Sequence, residues 1–299
     1  MQNKTTMATL AALSAQVIFG FSFMFTKIAL DYASPMTVIA DRYLVAFISL
    51  SLVMLFRKIK PGFTKNMSKL LLMAFFQPVI YFLCESYGIK LSTSGFSSVM
   101  ISLIPVVSIF GGMLFLKEIP TPVQILFTLL SVLGVGVMAY SGNMDGTVTV
   151  GGIILLFGAV LSSVAYNVMS RKISKEFTAF ERTYAMMFTG LLVFLLIALI
   201  ENRAAPLNLV IHFANPLYTA SILYLGVASS VIAFLLLNFA NTYLPVSKTT
   251  VFSNITTVVS VVAGVVFLGE PFGAVTVCSA LMIVVGVWGA QRTGQKTIQ

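Results

Sequence analysis

The chain has little charge and few of the side chains that most enzymes use. Only 9% of its 299 residues are charged, against about a quarter in a typical soluble domain. It has one histidine, His212, and two cysteines, Cys84 and Cys278, which both fall inside apolar stretches. These shortages argue against a soluble fold, a disulfide framework and a cluster of metal ligands. We therefore expect no metal, no cofactor and no enzymatic activity.

What the chain has in abundance is apolar sequence, at 58% of residues with a mean hydropathy of +1.00. About 20 apolar residues in a helix are enough to cross the ~30 Å hydrocarbon core of a bilayer. The sequence contains ten such stretches, which predicts an all-α integral membrane protein with ten transmembrane helices. The predicted spans one to ten are residues 7–29, 37–56, 69–89, 93–116, 122–141, 149–170, 179–200, 216–240, 245–268 and 272–290.

The formal net charge of +9 is distributed in a way that indicates topology. If the N-terminus lies in the cytoplasm, 13 of the 18 lysines and arginines fall in cytoplasmic segments. This is the bias of the positive-inside rule, so we expect a multi-pass protein of the cytoplasmic membrane with both termini in the cytoplasm. No nucleic-acid partner is needed to explain the basic charge. Arg42 and Arg182 are exceptions, because they lie inside spans two and seven.

The second half of the chain repeats the first. Residues 99–142 align without a gap on residues 251–294, at a constant offset of 152, with 14 identities in 44 positions. A repeat that holds an odd number of spans inserts its second copy upside down, as in many secondary transporters. We therefore expect two inverted repeats of five helices each, residues 1–145 and 146–299.

Several short motifs occur in a fixed order along this doubled layout. They are Phe19-Gly20-Phe21-Ser22 followed by Lys27, then Arg42, then Leu103-Ile104-Pro105-Val106, and the span ends Leu116-x-Glu118 and Leu268-x-Glu270. Over nearly the whole chain this order resembles the EamA-type, ten-span members of the drug/metabolite transporter superfamily. The resemblance implies an alternating-access carrier with a central cavity between its halves, often an exporter of amino acids or other small metabolites. The second copy departs from the first at Thr257, which replaces Pro105.

Polar side chains in the middle of spans provide the candidate substrate site. A polar group without a partner in hydrocarbon costs several kcal/mol, so such residues are expected to face an interior. Span nine contains two further polar residues, Thr256 and Ser260, which are expected to face the interior in the same way. The predicted substrate-binding residues are Gln16, Arg42, Gln77, Tyr81, Glu85, Ser98, Ser102, Tyr166, Asn167, Asn238, Asn254 and Thr257.

Charged residues within or at the ends of spans have more than one interpretation. Glu85 could carry a coupling proton or meet a substrate ammonium group, or it could simply be solvated near Lys90. Arg42 could bind a substrate carboxylate, or it could reach the interface or pair within the bundle. Asp41 is its neighbour in sequence and must point in a different direction. We expect Glu118 to be structural, since a carboxylate before the next helix stabilises the positive end of that helix.

Other functions remain as alternatives to an amino-acid carrier. A nucleotide-sugar or drug exchanger of the same superfamily is the nearest one, although so few intramembrane cations are a poor match for a phosphate substrate. A channel would need a selectivity ring, usually built by oligomerisation. A membrane enzyme would need converging catalytic groups. The expected partners are a small-molecule substrate, membrane lipids and, at Glu85, protons. The sequence leaves open the substrate, the direction, the coupling and the oligomeric state.

Overall fold

The computed structural model describes residues 2–59, 67–91, 100–141, 149–204, 210–268, 273–292 and 296–297. Almost all of these residues are helical. In this part of the chain, eight helices are long and apolar enough to cross a membrane, and two further apolar helices begin at Ile104 and Pro122. The helices are α1 (Gln2–Leu30), α2 (Pro35–Phe56), α3 (Met67–Gly88), α4 (Ile104–Leu116), α5 (Pro122–Ser141), α6 (Val150–Ile173), α7 (Ala179–Glu201), α8 (Pro216–Tyr243), α9 (Val246–Phe267) and α10 (Ala274–Arg292).

Local sequence explains where several of these helices begin. The Ser34 hydroxyl accepts a hydrogen bond from the Thr37 amide at the start of α2, and Pro35 occupies the first helical turn. Thr149 caps α6 in the same way. Thr178 and Glu181 form a reciprocal capping box at the start of α7. Such caps satisfy backbone donors that the helix itself leaves free, so the breaks between apolar runs become helix starts.

Two of the helices, α5 and α10, pack closely through glycine. A side chain on Gly134 would meet Ile283, and one on Gly286 would meet the Ser131 amide at 2.6 Å. Backbones can approach this closely only where a small residue stands at the contact. Gly134 and Gly286 therefore allow the backbones of α5 and α10 to lie close together. Gly136 differs, since no described atom lies within 4 Å of the position of its missing Cβ.

Contacts between helix termini define two ends of the bundle. At one end, which we call the Leu30 end, the Asn202 amide donates to the Thr37 hydroxyl at 3.2 Å. At the other, the Arg171 end, Lys69 pairs with Glu176 at 2.9 Å. A short antiparallel pair of strands, β1 (Glu118–Ile119) and β2 (Lys296–Thr297), lies beside the Arg171 end. Consecutive helices run between the two ends in alternating directions.

The largest apolar core lies between α2, α3, α6, α7 and α8. Aromatic side chains pack against one another within it: the ring of Tyr43 stacks on that of Phe194 at 5.7 Å between centroids, and Tyr166 meets Phe234 edge to face. Buried aromatic rings provide much of the packing energy of a core. This core holds α2, α6 and α8 at fixed positions around the cavity described next.

Candidate functional site

A cavity of about 600 Å³ lies inside the bundle. Its walls come from α1, α2, α3, α6, α8 and α9, together with residues near the start of α4. It extends to the Leu30 end, because Leu30, Pro35 and Glu201 at helix termini line it, and its floor lies near Asn167 and Thr249. Concave sites of this size are typical of binding sites for small molecules.

The helices around the cavity are interrupted. The middle of α3 is a π-helical segment, Phe75–Ile80, in which Gln77 has non-helical backbone angles. The Phe76 carbonyl accepts a hydrogen bond from the Ser162 hydroxyl of α6 at 2.6 Å. A second π-helical segment, Tyr224–Ile232, lies in α8. With the offset of 152, Gln77 corresponds to Ser229, so the two interruptions occupy matching places in the repeat.

Helices α4 and α9 are interrupted as well. Ser102 and Leu103 form a turn just before α4, and Phe252 forms a turn within α9 between Val246–Val251 and Ser253–Leu268. The replacement of Pro105 by Thr257 therefore does not remove the interruption from the second copy. Broken helices in corresponding positions of two repeats are characteristic of binding sites in secondary transporters. All four interruptions adjoin the cavity through lining residues such as Gln77, Ile104, Leu225 and Ser253.

Arg42 is the buried cation of the cavity wall. Its Nε donates to the Ser230 hydroxyl at 2.7 Å, and its Nη2 donates to the Ser229 hydroxyl at 3.0 Å. The guanidinium also lies over the ring of Phe82, at 5.2 Å from the centroid. Among the described residues, the hydrogen bonds of the guanidinium are these two, from Nε and Nη2, and no carboxylate lies within 4 Å of it. The unused edge of the guanidinium is therefore open to the cavity.

Glu85 lies in the same cavity, on α3. Its Oε1 accepts a hydrogen bond from the Tyr81 hydroxyl at 2.8 Å. Tyr81 and Glu85 stand one helical turn apart and both line the cavity. Within the described part of the chain, the second carboxyl oxygen has neither a donor nor a cation within bonding distance. The cavity therefore presents the Arg42 guanidinium and the Glu85 carboxyl group, each with a free edge among the described residues, and a second carboxyl group, Glu201, lies at its mouth.

Asp41 points away from this site, as its position beside Arg42 predicts. Its carboxylate accepts a hydrogen bond from the Tyr218 hydroxyl of α8 at 2.5 Å. Asp41 does not line the cavity and is 5% exposed. Its contact is structural, since it joins α2 to α8 behind the cavity wall.

The structure brings six of the twelve predicted substrate-binding residues into the cavity wall. Gln16 contributes its amide oxygen, which accepts a hydrogen bond from Thr256 at 2.8 Å. Asn167 lies at the floor, where its Oδ1 accepts from the Asn241 amide at 3.0 Å. The six residues are Gln16, Arg42, Gln77, Tyr81, Glu85 and Asn167.

Tyr166 and Asn238 lie elsewhere, in a polar cluster around Arg182. The Tyr166 hydroxyl donates to Asn238 Oδ1 at 3.1 Å, and Arg182 donates to the Asn238 carbonyl at 2.8 Å. Ser170 bonds both Asn238 and Arg182. The Arg182 guanidinium donates hydrogen bonds to Ser170 of α6 and to Asn238 of α8. It therefore joins α6, α7 and α8.

Three more of the predicted residues, Ser102, Asn254 and Thr257, also lie outside the cavity wall. Ser102 is buried at the turn before α4, and Asn254 donates to the Ser131 hydroxyl of α5 at 2.8 Å. Thr257 does not line the cavity, whereas its neighbour Thr256 does. The one-residue difference follows from the helical period of α9, which the interruption at Phe252 shifts. Ser98 lies outside the described residues.

Several cavity residues were missed by the sequence interpretation. Ser22, Thr249, Thr250 and Ser253 line the cavity, as does Glu201 at its mouth. Three of these hydroxyls bond carbonyls of their own helices, for example Ser22 to Phe19 at 2.7 Å. Serine and threonine that bond their own helix are common in spans, so composition alone does not mark them as site residues.

The Arg171 end of the bundle is closed by a network beneath the cavity floor. Arg171 donates to the Thr242 carbonyl and, at 3.3 Å, to the Asn241 carbonyl, and its Nε lies 3.4 Å from Glu118 Oε1. The other oxygen of Glu118 accepts from the Val246 amide at 2.7 Å. Burial raises the pKa of Glu118, although both partners act in the opposite direction.

Glu118 was expected to stabilise the helix that follows it. The structure shows instead that it caps α9, which is far away in sequence, because the chain folds the start of α9 against the end of α4. Glu118 has a structural contact, as expected, but the helix that it caps is α9 and not the following helix, α5. Its counterpart Glu270 lies outside the described residues.

Comparison with known proteins identifies the family of this chain. The model of the EamA-like transporter family matches residues 6–140 and again residues 150–290. The chain belongs to the EamA-like transporter family. It is therefore an integral membrane transporter of the drug/metabolite transporter superfamily.

Individual relatives agree with this family membership. An uncharacterized transporter of Bacillus subtilis (strain 168), YcxC, is 32% identical over 99% of this chain and 96% of its own length. Another from the same strain, YetK, is 25% identical over 94% of this chain and 86% of its own length. A solved crystal structure shares the fold, with a TM-score of 0.80 at 17% identity, and covers 95% of this chain and 98% of that chain.

Proposed function

We propose that this EamA-like transporter carries small zwitterionic metabolites, with amino acids as the first candidates. The observation that carries the proposal is that Arg42 and Glu85 line the same cavity, each with an unused edge. A guanidinium binds a carboxylate through two parallel hydrogen bonds. A carboxylate is the natural partner of an ammonium group. An amino acid offers both groups on one carbon atom.

The charges of the cavity favour an amino acid over a nucleotide sugar. Arg182, the other intramembrane arginine, is committed to Ser170, Asn238 and Thr242. A phosphate-bearing substrate would thus meet one cation, Arg42, and would have to lie close to Glu85. Like charges at close range inside a low-dielectric site are costly. A net-neutral zwitterion avoids this cost.

We propose that the substrate crosses by alternating access in a chain of ten spans. Two inverted five-span halves, residues 1–145 and 146–299, would enclose the cavity. The support is the repeat at an offset of 152, the family match in each half, and the corresponding π-helical segments of α3 and α8. Rocking of one repeat against the other around a fixed site is a common transport mechanism for such architectures.

We place both termini in the cytoplasm and the protein in the cytoplasmic membrane, on the distribution of lysine and arginine. The Leu30 end then faces outward and the Arg171 end faces the cytoplasm. The cavity in this conformation would be open to the outside and closed to the inside by Glu118 and Arg171. We favour export as the working direction and Glu85 as the group that exchanges a proton.

Uptake into proteoliposomes tests the substrate class. The probes are radiolabelled leucine, 3-methylbutylamine, which lacks the carboxylate, and 4-methylpentanoate, which lacks the ammonium group. The proposal predicts saturable flux of the amino acid that exceeds the flux of either analogue by about tenfold or more, as each analogue leaves one buried charge unpaired. Equal flux of all three would contradict a zwitterion site. Flux of none of a panel of amino acids would reject amino acids as the substrate class.

A further inference from the structure

Two consecutive serines of α8, Ser229 and Ser230, hold the Arg42 side chain. Both are fully buried, and neither lines the cavity. Adjacent residues of a regular α-helix point about 100° apart and do not face a common partner. Here both hydroxyls reach one guanidinium, at 3.0 and 2.7 Å. The π-helical segment Tyr224–Ile232, with its wider turn, makes this shared contact compatible with a helix.

The same segment is built to lie close to α2. Gly226 has no room for a side chain, because a Cβ atom would lie 2.6 Å from Val45 Cγ1 and 3.1 Å from the Arg42 carbonyl oxygen. Such an approach brings the serine hydroxyls within reach of the Arg42 side chain. The bond between Asp41 and Tyr218 fixes α2 against α8 at a second point. The contact is therefore a specific junction between the two halves of the chain.

The serines determine which edge of Arg42 remains for a ligand. A guanidinium has five N–H donors in a fixed plane. Ser230 takes the Nε donor and Ser229 takes one Nη2 donor. What remains is the end formed by Nη1 and the second Nη2 hydrogen, which can meet a planar carboxylate with two parallel bonds. Without the serines, the flexible arginine side chain would have to be ordered when the ligand binds.

We propose that Ser229 and Ser230 are positioning residues of the carboxylate site, acting on the substrate through Arg42. This proposal rests on the proposed function, since it assigns the orientation of the same cation. Arg42, which would bind the substrate carboxylate, belongs to the first half of the chain, and the serines that orient it belong to the second half. Substrates with a carboxylate depend on the serines, and analogues that lack one do not.

A double-mutant cycle tests the proposal. Uptake of leucine and of 3-methylbutylamine is measured in proteoliposomes for the wild type, S229A/S230A, R42K and the triple variant. We expect S229A/S230A to raise the KM for leucine about tenfold, as loss of hydrogen bonds to a charged group implies, with little change in maximal rate or in amine uptake. In the R42K background the serine substitutions should add no further change, because residues that act through one another are not additive.

Controls separate positioning from a general structural role. Ser221→Ala removes another buried serine of α8, whose hydroxyl bonds only the Leu217 carbonyl of its own helix, and should leave the KM for leucine unchanged. The single variants S229A and S230A serve if the double variant does not fold. Equal effects on leucine and the amine, or additive effects with R42K, overturn the proposal while amino-acid transport stands. Absence of any amino-acid flux in the wild type overturns the proposed substrate class and this proposal with it.

Discussion

At the scale of single residues, the site depends on two charges that the protein leaves incompletely paired. Arg42 is 7% exposed, and its hydrogen-bond partners among the described residues are neutral hydroxyls; Glu85 accepts from the neutral hydroxyl of Tyr81. A buried charge without an opposite charge is expensive unless a ligand completes it. The proposed zwitterionic substrate would supply the opposite charge that each of these two groups lacks.

Glu85→Gln is predicted to abolish transport driven by a pH gradient while the protein remains folded. The amide keeps the size and accepts from Tyr81, but it neither exchanges a proton nor attracts an ammonium group. The measurement is leucine uptake in proteoliposomes with and without an imposed gradient. Glu201→Gln, at the mouth of the cavity, is the matched control and should retain gradient-driven uptake. Unchanged pH dependence in the Glu85 variant would remove Glu85 from the mechanism.

Residue types revealed the two charges of the site but only part of its lining. Glu85 and Arg42 could be found because a charge inside an apolar span needs an explanation. Tyr166 and Asn238 satisfied the same rule, yet the structure uses them to hold Arg182. Polarity within a span predicts an interior position, and it does not distinguish a cavity from a buried hydrogen-bonded cluster.

At the scale of helices, the interruptions position the site, and each needs its own compensation. In the π-helical segment of α3 the Phe76 carbonyl accepts the Tyr81 amide, and it also accepts the Ser162 hydroxyl of α6 at 2.6 Å. Within a membrane such carbonyls must find a protein partner. The Ser162 hydroxyl therefore helps to stabilise the interrupted part of α3 from a neighbouring helix.

Ser162→Ala is predicted to destabilise the fold by about 0.5–1.5 kcal/mol, the net contribution of one hydrogen bond, because the Phe76 carbonyl keeps the Tyr81 amide as a donor. The measurement is the thermal or denaturant midpoint of the purified protein in detergent. Ser279→Ala is the control, since that hydroxyl bonds the Val275 carbonyl of its own helix. A Ser162 variant that is as stable as the control would show that the interruption needs no such partner.

Gly226→Ala is predicted to weaken the junction of α2 and α8. The added methyl group would have to displace Val45 and the backbone oxygen of Arg42, and overpacking of this kind costs about 1–3 kcal/mol. We expect a lower unfolding midpoint and a raised KM for leucine, because the Arg42 guanidinium moves with its helix. Gly136→Ala, where no described atom lies within 4 Å, should leave both quantities unchanged.

The starts of several helices could be predicted from the sequence, whereas the interruption in α8 could not. Apolar runs bounded by Ser34, Thr149 and Thr178 place helix starts within a few residues. Pro78 marks a break in α3, but nothing comparable marks Tyr224–Ile232 in α8. That segment follows from the packing of Gly226 and the serines against α2, which is tertiary information.

At the scale of the whole molecule, the proposed arrangement is an inverted pair of halves that encloses a cavity open at one end. The contacts that tie helix termini agree with helices of alternating direction: Thr37 meets Asn202 at one end, and Lys69 meets Glu176 at the other. The offset of 152 predicts the repeat from sequence alone. It does not predict that the cavity opens at the Leu30 end, because that depends on the conformation and not on the composition of the spans.

Single cysteines are predicted to show the orientation of the bundle. Arg203→Cys, after α7, should react with a membrane-impermeant maleimide added outside intact cells. Lys175→Cys, after α6, should react only after the cells are made permeable. The positive-inside bias is the physical reason for this arrangement. Labelling of Lys175→Cys in intact cells would reverse the topology, and the cavity would then open to the cytoplasm.

The central claim, that one cavity is presented to each side in turn, is tested most directly by counterflow. Proteoliposomes are loaded with millimolar unlabelled leucine and diluted into a trace of labelled leucine, without any ion gradient. Alternating access predicts a transient accumulation of label inside, above equilibrium, which disappears with Arg42→Gln. Unlabelled leucine that leaves through the site returns it to the outside, where it takes up label. The excess unlabelled leucine inside then competes with the label for exit. Label that rises to equilibrium without a transient, in a protein with measurable leucine flux, would contradict alternating access and indicate a channel.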